Sequence, residues 1–138
     1  MWKIEVQAKT DQLETVLDFL RGHLEEEECP MKTMIQLEVS VEEIFVNIAH
    51  YAYEGGEGTA VIELSILDEP KAAQITFRDR GVQFDPLAKP DPDITESAEE
   101  RRIGGLGIFM VKKSSDGLTY EYKNGENVLV MTKNFYKS

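Results

Sequence analysis

Apolar and polar positions alternate from the start of the chain. Trp2, Ile4 and Val6 share one parity, so residues 2–8 are predicted to form a half-buried strand. Beyond it the period changes. Asp11 and Glu14 stand in capping-box spacing, and Leu13, Val16, Leu17, Leu20 and Leu24 recur at helical intervals, which predicts an amphipathic helix. Pro30 can open a second helix, with Met34, Leu37, Val41, Ile44, Ile48 and Ala52 as its apolar stripe and Gly55 and Gly56 as its stop. Two alternating segments follow at residues 59–67 and 71–79, joined by Asp68, Glu69 and Pro70 as a hairpin turn. Residues 86–102 carry three prolines, many charges and no apolar period, which describes an exposed loop. Gly104 to Gly107 lead into a short helix through Lys113, and Gly117 is a plausible stop for it. Residues 118–123 and 127–133 then flank Asn124 and Gly125, a dipeptide favoured in tight hairpins. The order strand, two helices, hairpin, loop, helix, hairpin predicts an α+β two-layer sandwich, with helices on one face of a mixed, mainly antiparallel sheet.

Composition narrows the function classes. The 138 residues suit a single domain with one core, and 41% apolar content is that of an ordinary globule. A formal net charge of -11 argues against a nucleic-acid binder, which would need a basic surface. The lone Cys29 cannot form an internal disulfide, and no apolar run reaches membrane-span length, so a cytoplasmic protein with no membrane association is expected. The acidic run at residues 25–28 points around the whole helix and reads as solvated surface.

Chemistry is suggested where polar residues break the apolar pattern. Ser40, Glu43 and Asn47 cluster on one flank of the second helix, and the spacing of Glu43 and Asn47 lets both reach one hydrated cation. Ala73, Ile75 and Phe77 place Asp79 on the core side of its strand, where a carboxylate needs a polar partner. Gly81 then lets a flat ligand approach the backbone, with Phe84 packing beneath it. Gly104, Gly105 and Gly107 open a helix whose amides suit an anion, yet the lysine of a Walker-type P-loop is missing. Together these pieces occur in an order that builds one pocket.

Three segments make the chain resemble the GHKL (Bergerat-fold) ATPase and kinase superfamily, with the likeness running from about residue 34 to residue 132. Glu43-Ile44-Phe45-Val46-Asn47 followed by Tyr51-Ala52-Tyr53 resembles the N box, and Asp79-Arg80-Gly81-Val82-Gln83-Phe84-Asp85-Pro86 the first glycine box. Gly104-Gly105-Leu106-Gly107-Ile108-Phe109-Met110-Val111 resembles the second. Two departures stand out: Gln83 replaces the usual second glycine of the first box, and Tyr51 takes the place of a histidine after the N box.

The resemblance implies ATP with Mg as cofactor. Asn47 would coordinate Mg, Glu43 would act as base on the attacking hydroxyl, and Asp79 would bind the adenine amino group. Gly81 and Phe84 would shape the adenine site, and Gly104, Gly105, Leu106 and Gly107 would hold the phosphates. Residues 87–103 would be the ATP lid, Arg101 or Arg102 would steady the transferring phosphoryl, and Thr132 would assist adenine binding. The chain's length and its Phe-Asp-Pro and Gly-Gly-Leu-Gly-Ile runs look most like anti-sigma-factor serine kinases. That likeness implies phosphorylation of a Ser or Thr on an anti-sigma-factor antagonist domain, a sigma factor as second partner, and a homodimer. Two other readings predict different chemistry: an ATP-gated binding module without transfer, and a slow ATPase of a larger machine.

Overall fold

The computed structural model describes residues 1–88 and 106–136. Strand β1 (Trp2–Gln7) leads through a short turn of helix at Thr10–Gln12 into α1 (Leu13–Glu26) and α2 (Met31–Tyr51). The hairpin of β2 (Thr59–Leu67) and β3 (Ala72–Asp79) follows, then a helical turn at Pro86–Ala88, α3 (Leu106–Ser114), and the hairpin of β4 (Gly117–Lys123) and β5 (Glu126–Asn134). The five strands form one sheet in the order β1-β2-β3-β5-β4.

This is the α+β sandwich expected from the pattern. The sheet is more regular than anticipated: every pairing among the described residues is antiparallel, where the sequence left room for a mixed sheet. Two local expectations fail. Asp11 does not cap α1, because residues 10–12 close a tighter turn first, Gln12 takes the cap position, and Asp11 instead accepts a hydrogen bond from the Gln12 side-chain amide. Gly117 does not terminate α3, which ends at Ser114; the glycine already belongs to β4.

The strand register explains where the site can form. Ile62 faces Phe77 and Leu64 faces Ile75 across β2 and β3, while Ile75 faces Met131 and Phe77 faces Leu129 across β3 and β5. These side chains share one sheet face and are buried with Val16, Leu20 and Leu24 of α1 and Leu37, Val41, Ile44 and Phe45 of α2. Each such burial stabilises the fold by about 1.5–3 kcal/mol. The other sheet face is polar, with Arg78 paired to Glu63 and Glu126. One step beyond Phe77 and Leu129, the same parity puts Asp79 opposite Asn127. Two polar residues thus end a column of apolar ones.

Candidate functional site

A cleft opens where that column stops. It encloses about 490 Å³ of space, part of it open solvent. One wall is a single row of α2, made by Ile44, Asn47, Ile48 and Tyr51, because residues three and four apart share a helix face. Phe77 and Leu129 line it from the sheet, Ile108 from α3, and Val82, Phe84 and Pro86 from the segment after β3.

Asp79 lies at the cleft and is only 7% exposed. Its Oδ1 accepts hydrogen bonds from the Gly81 amide at 2.9 Å and from the Asn127 side-chain amide at 2.9 Å. The buried carboxylate therefore has the donors its sequence position demanded. Asn127 also donates to the Val82 carbonyl at 2.8 Å and accepts from the Phe84 amide at 3.1 Å and the Tyr120 hydroxyl. Burial raises the Tyr120 phenol above its ordinary value, so the hydroxyl remains a donor at neutral pH.

The loop is also pinned to the end of α2. The Val82 amide donates to the Ala52 carbonyl at 2.7 Å, and a Cβ on Gly81 would lie 2.0 Å from that same oxygen. Close packing against the helix end thus accounts for the glycine without reference to a ligand. Tyr53 supplies a second tie, its hydroxyl accepting from the Arg80 amide at 2.9 Å and donating to the Thr59 carbonyl.

The flank of α2 that broke its apolar stripe faces α3. Ser40 meets Ser114 at 3.2 Å, and a Cβ on Gly107 would come 2.0 Å from Glu43 Oε2, so the Glu43 carboxylate rests against the opening turn of α3. Asn47 follows one turn later and lines the cleft. Glu43, Asn47, Asp79, Phe84 and Gly107 are therefore gathered around one end of the α2–α3 layer. Leu106 begins α3, while Arg101, Arg102, Gly104 and Gly105 lie outside the described residues, as does nearly all of the segment expected to form a lid.

Thr132 is not brought to the cleft. It pairs with Gln74 and Gly117 toward the far end of β5, on the parity opposite Leu129 and Met131. The residue of β5 that meets Asp79 is Asn127, which sequence reasoning missed along with Tyr120, while Tyr53 entered only as part of the N-box resemblance. Asn127 carried a readable signal, since it shares the parity of Leu129 and Met131 and so is a polar residue on a core face.

These features coincide with known proteins. The chain belongs to the family described as histidine kinase-like ATPase domain, which it matches over residues 6–133. Serine-protein kinase RsbW of Listeria monocytogenes is 32% identical over 102 residues, covering 70% of this chain and 63% of that protein. Serine/threonine-protein kinase BtrW of Bordetella bronchiseptica is 25% identical over 96 residues, covering 70% of this chain and 67% of that protein. The chain thus spans about two thirds of the length of these relatives. A chain in the crystal structure of the SiaB-SiaC complex from Pseudomonas aeruginosa shares the fold, with a TM-score of 0.64, 15% identity, and coverage of 96% of this chain and 89% of that one. No helix among the described residues is long and apolar enough to cross a membrane.

Proposed function

We propose that this chain is an ATP-dependent serine/threonine protein kinase of the anti-sigma regulatory type, working in the cytoplasm on a small anti-sigma-factor antagonist domain and sequestering a sigma factor, as a homodimer. The observation that carries the reading is the Asp79 carboxylate, held by two donors at the mouth of an apolar cleft with Glu43 and the start of α3 close by. The serine kinase names of the relatives support the reaction class.

The chemistry of the cleft suits a purine. Its walls are apolar, and Asp79 offers a hydrogen-bond acceptor where a base amino group needs one. Phosphates would then extend toward the opening turn of α3 at Gly107. Asn47, on the cleft wall, would hold a Mg ion through its side-chain oxygen. When bound, Mg supplies charge neutralisation on the phosphates. Glu43, which rests against the opening turn of α3, would accept the proton of an incoming Ser or Thr hydroxyl as its oxygen bonds to the γ-phosphorus and the bridge to ADP breaks. Residues 87–103, with Arg102, would close over the nucleotide as a lid.

The experiment incubates γ-labelled ATP with this chain and antagonist domains from the same genome. Label on an acceptor serine in the wild type, lost in Glu43→Ala with ATP binding retained, supports the assignment. Unlabelled acceptors despite bound ATP would make the chain an ATP-gated binding module.

A further inference from the structure

Asn127 uses its whole side-chain amide on four groups, and its orientation cannot be reversed. The Phe84 amide can only donate and the Val82 carbonyl can only accept, so Oδ1 must face the first and Nδ2 the second. The Tyr120 hydroxyl adds a further donor to Oδ1, and Nδ2 is left to donate to Asp79 Oδ1. The Gly81 amide meets the same carboxylate oxygen. One oxygen of Asp79 thus takes both of these bonds, and among the described residues no hydrogen bond is made to the other.

We propose that Asn127 is a positioning residue that sets the base selectivity of the cleft, by fixing the Asp79 carboxylate so that the ligand must donate a hydrogen bond at that point. A 6-amino purine donates there, whereas a 6-oxo purine brings a second acceptor against the carboxylate. The selectivity belongs to the pair. With Asn127 removed, Asp79 loses one of its two anchors and can turn, and a carboxylate free to turn discriminates poorly. This inference rests on the nucleotide reading of the cleft.

The test measures dissociation constants of MgATP and MgGTP for the wild type and for Asp79→Asn, Asn127→Leu and Asn127→Thr. The readout is the ATP-to-GTP preference, because a merely structural defect weakens both nucleotides together. Asn127→Leu, which keeps the branched shape and loses the amide's donor and acceptor, is expected to reduce the preference about tenfold, the cost of one oriented hydrogen bond. Asn127→Thr retains a hydroxyl donor and is expected to stay within about threefold of the wild type, although it packs less well. If Asn127→Leu does not fold, Asn127→Ala carries the same expectation. A wild type that binds neither nucleotide overturns the nucleotide reading itself, and one that binds both equally overturns the selectivity proposed here. A wild type that prefers ATP, with the preference lost in Asp79→Asn and unchanged in the leucine or alanine variant, overturns the role of Asn127 alone.

Discussion

Replacing Gly81 by alanine tests the join between α2 and the loop that carries the site. The added Cβ would lie 2.0 Å from the Ala52 carbonyl oxygen, 2.4 Å from its carbon and 2.6 Å from its Cβ, where ordinary contact begins near 3.4 Å. Two of these three atoms are backbone at the end of a 21-residue helix, so they cannot rotate away. The loop must retreat by more than an ångström, which also breaks the 2.7 Å bond from the Val82 amide to Ala52. Overpacking costs about 1–3 kcal/mol and the lost hydrogen bond about 1 kcal/mol, giving a loss of roughly 2–4 kcal/mol. For a domain of this size that lowers Tm by roughly 8–16 °C. Thermal melts followed by circular dichroism measure it, with Gly22→Ala as the opposing control. A Cβ on Gly22 meets nothing within 4 Å, and the residue sits inside α1, so alanine there should raise stability by about 0.5–1 kcal/mol. A Gly81→Ala melt within about 2 °C of wild type would refute the packing argument, whatever the cleft binds.

Other outcomes follow from the same geometry. Gly107→Ala drives a methyl into Glu43 Oε2, a flexible chain end, so stability should change by less than about 1 kcal/mol while phosphoryl transfer falls about a hundredfold; equal turnover in both proteins would detach Glu43 from the reaction. Burial raises the Cys29 thiol, so the native state keeps a proton that the unfolded chain releases at alkaline pH. The stability this contributes is complete below the ordinary thiol range, about pH 8.5, and is lost as pH climbs through the raised value. Urea titrations should therefore show the stability of the wild type falling relative to Cys29→Ala above that pH, and a constant difference between the two would contradict it. The exposed Lys9–Glu57 pair, at 3.9 Å, should matter little: Lys9→Ala is expected to shift stability by less than about 0.5 kcal/mol in the same titrations.

Most of the fold was legible because the two apolar periods are clean. Val16, Leu17, Leu20 and Leu24 could only be one face of a helix, and Ile75, Phe77 and Asp79 only one face of a strand. What periodicity cannot supply is which strands lie side by side. Periodicity shows that Asp79 needs a polar partner but not that β5 runs beside β3, which is what sets Asn127 opposite it in the register. Gly81 shows the same gap: a glycine's freedom is visible in sequence, whereas the carbonyl of Ala52 that requires it is not. The capping box at Asp11 failed for a local reason, a tight helical turn that moved the cap of α1 by one residue, to Gln12.

The central claim is that the cleft beside Asp79 takes the base of an adenine nucleotide. Isothermal titration of ATP with Mg into the wild-type chain tests it most directly, with the Asp79→Asn variant titrated in parallel. The expected result is saturable heat at one site per chain, with affinity about tenfold or more weaker in the variant. Absence of heat in the wild type, or equal affinity in both proteins, would contradict the account.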